Sequence, residues 1–116
     1  DSVPASERLA ELIAIHVDFA VEHRSLISVE HRDINSATPD DQERVRQLKR
    51  EYVEIWVDAL VERHPGLAPD VARPAVHAVI GLINSTPSSP LMERAELVSL
   101  LRAMASAALD TVAVAV

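Results

Sequence analysis

The chain has 116 residues, with 48% hydrophobic and 25% charged residues, which is the balance of one globular domain rather than of a disordered segment. It contains no cysteine, which excludes disulfides and thiolate metal sites and fits a cytoplasmic protein. With 18 acidic against 11 basic residues, the formal charge is −7, so this polypeptide by itself is not expected to bind DNA.

Targeting and membrane segments are not expected either. The longest stretch without Asp, Glu, Lys or Arg covers residues 74–92, and it contains three prolines, a histidine and several serines. Such a stretch cannot cross a bilayer as a helix. No basic start followed by an apolar run indicates a signal peptide.

Apolar residues recur at helical spacing throughout, and no window alternates as a strand does, so we predict an all-α fold of five helices. The first helix is predicted from about Pro4 to Glu22. His16 lies in the middle of its apolar face, and His23 lies two turns further on, nearly above it. These histidines either line a ligand pocket or are hydrogen-bonded within the protein, and the sequence leaves both readings open.

A short second helix is predicted over about 25–34, followed by a loop. The third helix, from about Pro39 to Arg63, is the longest. Its Tyr52 and Trp56 are one turn apart, so both rings point the same way, as pocket walls or as core anchors. The apolar stripe of this helix is predicted to comprise Val45, Leu48, Tyr52, Ile55, Trp56, Ala59 and Leu60.

The fourth helix is predicted from residue 69 or 70 to 84. Between positions 74 and 83 its only polar side chain is His77, and a helix that is apolar all round is expected to be buried on more than one side. A buried imidazole needs a protein partner or a ligand-filled cavity. Asn84 is interpreted first as a helix cap, and Gly81 as a site of close packing.

The fifth helix, from residue 91 or 92 to about 112, has one narrow polar stripe and is apolar elsewhere. Together, the fourth and fifth helices have more apolar surface than one short chain can cover. We therefore predict a homodimer in which these helices form an intersubunit four-helix bundle. The predicted interface residues are Val79, Ile83, Leu97, Leu100, Leu101, Met104, Ala105 and Ala108.

Three segments resemble the C-terminal ligand-binding and dimerisation domain of TetR/AcrR-family transcriptional regulators, in particular the actinobacterial type. They are YVEIWVDAL at 52–60, AVHAVIGLINS at 75–85 and AELVSLLRAMA at 95–105. The resemblance covers essentially the whole chain. It implies that residues 1–116 form one effector-binding and dimerisation domain, and that the helix-turn-helix domain of such regulators is absent from this sequence.

The resemblance also implies a function. A small lipophilic effector would bind among the first four helices and shift the first helix, which would relieve binding of operator DNA by the N-terminal domain. No cofactor, metal ion or membrane is expected to take part. The candidate ligand-binding residues are His16, Phe19, Ala20, His23, Tyr52, Trp56, His77, Ile80, Gly81 and Asn84.

Catalysis is not expected. His31-Arg32-Asp33 matches the kinase catalytic tripeptide, but the chain has no glycine-rich loop to accompany it, and no zinc-peptidase or nucleophile-elbow motif is present. The alternative to a sensor is a ligand-free helical dimer or adaptor. A sensor predicts that His16, Tyr52 and His77 converge on one cavity, whereas an adaptor predicts that they are scattered or satisfied within the protein.

Overall fold

The computed structural model describes residues 4–23, 38–85 and 92–115, which form four α-helices and no strand. The helices are α1 (Ala5–Glu22), α2 (Pro39–Arg63), α3 (Pro69–Asn84) and α4 (Arg94–Ala115). The all-α prediction is confirmed for these residues. The predicted second helix over 25–34 lies outside the described residues, so the fifth helix of the bundle stays a prediction.

Local chemistry sets the ends of α2. The Thr38 side chain accepts a hydrogen bond from the Asp41 N–H at 3.1 Å, and Pro39 takes the first helical position, where a missing N–H costs nothing. After the C-terminal end, Gly66 adopts φ +101°, which only glycine enters without strain, and the chain turns into α3.

Ion pairs between helix ends show the relative directions of the helices. Arg8 near the start of α1 pairs with Glu62 near the end of α2, and Arg94 at the start of α4 pairs with Glu22 at the end of α1. Helix α1 is therefore antiparallel to both α2 and α4. These pairs are exposed and add little to stability, so the helix order depends mainly on the apolar core.

The core lies where all four helices meet, and its largest fully buried side chains come from each of them. They are Val17 of α1, Trp56, Val57 and Leu60 of α2, Val76 and Ile83 of α3, and Leu101 and Leu109 of α4.

The predicted stripe of α2 was partly wrong. Leu48 and Ile55 are 56% and 52% exposed, whereas Val53 and Val57 are buried. The core contacts of α2 are centred on the side of Val57 and Leu60, which leaves Leu48 and Ile55 beyond the edge of the buried face.

Within the single chain α3 is buried along one face, and its burial on a second side by a partner stays a prediction. Ala72, Val76, Val79 and Ile83 are buried along one face. The opposite face, which includes His77, is exposed. Because Pro74, Ala78 and Gly81 share that exposed face, α3 keeps an uncovered surface composed almost entirely of small or apolar residues.

The predicted dimer residues divide into two groups. Five of them are buried within their own chain and leave no surface for a partner: Val79, Ile83, Leu97, Leu101 and Ala105. The structure therefore assigns these five to the core of the single chain and not to an interface. Periodicity alone could not assign these residues to the core of the chain itself. Leu100 and Met104 are each 43% exposed and Ala108 is half-buried, so these three remain available. No described helix is long and apolar enough to cross a membrane.

Candidate ligand-binding site

Three helices contribute to one cluster of polar side chains. His16 of α1 hydrogen-bonds through Nδ1 to the Tyr52 hydroxyl of α2 at 2.8 Å, and through Nε2 to Oδ1 of Asn84 at the end of α3 at 2.9 Å. The partners are 36 and 68 residues away in sequence, so the cluster exists only when α1, α2 and α3 are packed. We call His16, Tyr52, Asn84 and the adjacent Trp56 the polar cluster.

The hydrogen bonds determine the tautomer of His16 when its ring is neutral. Asn84 Oδ1 can only accept, so Nε2 carries the proton and donates it, and the Tyr52 hydroxyl donates to the free Nδ1. Burial lowers the pKa of His16 from its usual 6.5, and the hydrogen bond to Asn84 offsets part of that shift. Burial also raises the pKa of Tyr52, an effect that the nearby Trp56 N–H partly offsets. The polar cluster is therefore uncharged at neutral pH.

Within the polar cluster, Trp56 is fully buried. Its ring is edge-on to His16, with centroids 5.9 Å apart and planes at 89°, and its centroid is 6.2 Å from that of Tyr52. Its Nε1 lies near the Tyr52 hydroxyl, close enough to lower the pKa of that group, but it forms no hydrogen bond of ordinary length to a described residue.

The other predicted ligand-binding residues are dispersed. Ala20 is buried in the core and Ile80 is half-buried beside it. Phe19 is 45% exposed and contacts the exposed His23, with ring centroids 4.8 Å apart. His77 and Gly81 lie on the exposed face of α3. The structure therefore brings His16, Tyr52, Trp56 and Asn84 together and leaves Phe19, His23, His77 and Gly81 outside the cluster.

The grooves found between described residues lie elsewhere. The larger two, of about 740 and 420 Å³, are open surface grooves on the outer side of α2 around Glu54 and Ile55. A smaller one of about 90 Å³ lies between α1 and α4 near Arg63. None of the three is lined by a predicted ligand-binding residue. The predicted cavity among the first four helices stays a prediction, because the second of those helices lies outside the described residues.

The polar cluster predicts how stability depends on pH. Since the folded state holds the pKa of His16 below 6.5, the unfolded chain binds more protons there, and the free energy of unfolding falls as the pH drops below 6.5. We expect His16→Gln to reduce this loss between about pH 7 and about pH 5, measured as thermal midpoints. Ile15→Ala, at an exposed position next to His16, should leave it unchanged. A His16→Gln variant with the original pH profile would contradict the assignment of this loss to His16.

A comparison with known families identifies the family of this chain. A family model described as the C-terminal domain of tetracycline-repressor-like proteins matches residues 2–88, which is three quarters of the chain and covers α1 to α3. The chain belongs to this family. The TetR-like C-terminal domain is a regulatory domain, and the resemblance seen in the sequence is thereby confirmed. No curated protein matches this chain closely enough to compare functions.

One feature of this TetR-like domain was misread from the sequence. Asn84 was interpreted first as a helix cap, yet its side chain holds His16 from across the bundle. The cap at this end is provided instead by Ser85, whose hydroxyl donates to the carbonyl of Leu82 at 2.9 Å. The available signal was that two polar residues, His16 and Asn84, both interrupt helix faces that are otherwise apolar.

Proposed function

We propose that this domain senses a small lipophilic molecule, forms a homodimer, and regulates a DNA-binding domain elsewhere in the same protein, in the cytoplasm. The observation that carries the proposal is the family match over residues 2–88. The formal charge of −7 supports assigning contact with operator DNA to another domain, because this surface repels phosphates. Binding of the molecule would relieve DNA binding, as in a repressor.

The uncovered faces of α3 and α4 support the homodimer. Leu100 and Met104 keep large apolar areas in solvent, which a second copy would bury. Gly81 adds a second argument. A Cβ built there meets nothing within 4 Å in the chain, so no contact inside the chain requires glycine. A mid-helix glycine costs about 1 kcal/mol relative to alanine, and close approach of a partner helix would account for it.

The ligand-free adaptor is the second candidate, and one observation favours it. Both ring nitrogens of His16 are satisfied by Tyr52 and Asn84 without a ligand, and His77 does not join them. The family match favours the sensor, because TetR-like C-terminal domains generally bind small effectors. We therefore place the sensor first.

A thermal-shift screen of lipophilic compounds, combined with native mass spectrometry of the purified domain, tests the two candidates. For a sensor we expect at least one compound to raise the thermal midpoint, or a co-purified molecule to be released on denaturation. The amount of shift should increase with ligand concentration. If no compound of a broad library changes the midpoint and the purified domain carries no small molecule, the adaptor is the better description.

A further inference from the structure

We propose that Met104 makes the homodimer sensitive to oxidants of the peroxide class, because oxidation of its thioether places a polar group in the interface. This inference rests on the proposed homodimer and adds a modification site that regulates it. The observation behind it is an exposed thioether on the uncovered apolar face of α4.

Sulfur occurs in this chain only at Met92 and Met104. Both side chains are exposed, the first by 39% and the second by 43%. Cysteine, the other side chain that peroxides attack at sulfur, is absent. An oxidant of this class therefore meets two accessible thioethers and no competing thiol.

The two thioethers differ in their surroundings. Met92 precedes the first residue of α4, Arg94, whereas Met104 lies in the middle of that helix. The four residues one turn from Met104 on α4 are all apolar: Leu100, Leu101, Ala107 and Ala108. None of these side chains can donate a hydrogen bond. A polar group created at position 104 therefore has water as its partner in the single chain and no donor on its own helix.

The reaction at Met104 is a two-electron oxidation. Hydrogen peroxide transfers one oxygen atom to the thioether sulfur, so an S–O bond forms, the O–O bond breaks and water leaves. The sulfur supplies the two electrons that the peroxide gains. The product, methionine sulfoxide, is a polar side chain with a hydrogen-bond acceptor in place of an apolar one.

Burial decides the effect of the sulfoxide. In the free chain its oxygen is hydrated, while in the dimer it would lose that water and gain no donor from α4. A symmetric interface contains the change twice. We therefore expect the dissociation constant of the dimer to rise at least about 10-fold when both copies are oxidised. Because a partner covers Met104, the oxidant acts on the free chain and removes it from the equilibrium with the dimer.

Sedimentation equilibrium before and after treatment with hydrogen peroxide tests the proposal, with peptide mass spectrometry to locate the added oxygen. We expect oxidation of Met104 to weaken association and to leave the helix content unchanged by circular dichroism. Raising the protein concentration should slow oxidation at Met104 but not at Met92, since only the former is covered in the dimer.

Substitutions locate the effect. Met104→Leu keeps an apolar side chain that cannot be oxidised in this way, so this variant should stay dimeric after peroxide. Met92→Leu is the matched control and should dissociate as the unaltered domain does. Met104→Gln introduces an uncharged polar group without any oxidant, and we expect it to weaken association to a similar extent.

The outcomes separate this inference from the proposed homodimer. A domain that is monomeric before treatment removes the homodimer, and the inference with it. If the domain is dimeric and stays so with Met104 oxidised, the homodimer survives and the inference is overturned. Dissociation of Met104→Leu by peroxide also overturns it, because another residue would then be responsible. Equal oxidation rates at Met92 and Met104 at every protein concentration would show that no partner covers Met104.

Discussion

Glutamate in place of Met104 is expected to convert a dimer into a folded monomer, whereas glutamate in place of Leu101 is expected to unfold the domain. Met104 is 43% exposed and Leu101 is 1% exposed, although both lie on the apolar part of α4. A charge at Met104 reaches solvent in the monomer and is buried only against a partner. A charge at Leu101 has no route to solvent, and its burial costs several kcal/mol out of a total of about 5–15.

Light scattering gives the oligomeric state, and far-ultraviolet circular dichroism gives the helix content of each variant. Arg102→Glu is the matched control, because Arg102 is exposed on the same helix but on a different side from Met104. It should leave both measurements unchanged. A Met104→Glu variant that stays dimeric at micromolar concentration would show that the copies associate elsewhere, or by another helix.

Trp56→Ala is expected to lower the free energy of unfolding by about 3–5 kcal/mol, which is the usual cost of deleting a large buried aromatic side chain. Trp56 is the largest fully buried side chain, and it packs edge-on against both His16 and Tyr52. Removing it leaves a cavity between the helices that hold the polar cluster.

Urea unfolding followed by circular dichroism measures this loss without relying on tryptophan fluorescence. Ile55→Ala is the control, since Ile55 precedes Trp56 in sequence and is 52% exposed. The free energy of unfolding of this variant should fall by less than about 1 kcal/mol. Similar losses in the two variants would mean that the side chain of Trp56 is not a main part of the core.

The helices themselves were predictable because their ends depend on neighbouring residues. Pro39 at the start of α2 and the His64-Pro65-Gly66 turn after it act within a few residues, and the predicted bounds of α2 and α3 agree with the structure. The start of α4 was predicted two or three residues early. The carbonyl of Glu93 accepts the first bond of this helix, from the Leu97 N–H, and the apolar run before it gave no sign of that boundary.

The contacts between helices were predictable only in part. Helical periodicity placed His16 and Tyr52 on inward faces, but it gave no information about which residues on other helices they meet. The partner of His16 on α3 proved to be Asn84 rather than His77. These two residues are seven positions apart, so they lie on nearly the same side of α3 but about 10 Å apart along its axis, and His77 is exposed. The level at which two helices meet depends on packing across the core and leaves no pattern in the sequence of one helix.

The burial of side chains is uneven along the long helix α2. All of its buried residues, from Val53 to Leu60, lie in the C-terminal half, whereas the N-terminal half carries exposed ion pairs of Glu43 with Arg46 and Arg50. Exposed pairs of this kind contribute little to stability. Backbone amides near Glu43 should therefore exchange with solvent deuterium through local fraying, while those near Trp56 should exchange only when the whole domain opens. The amides of one helix thus differ in their protection from exchange between its two halves. The boundary between the halves falls at Tyr52, the residue through which α2 joins the polar cluster.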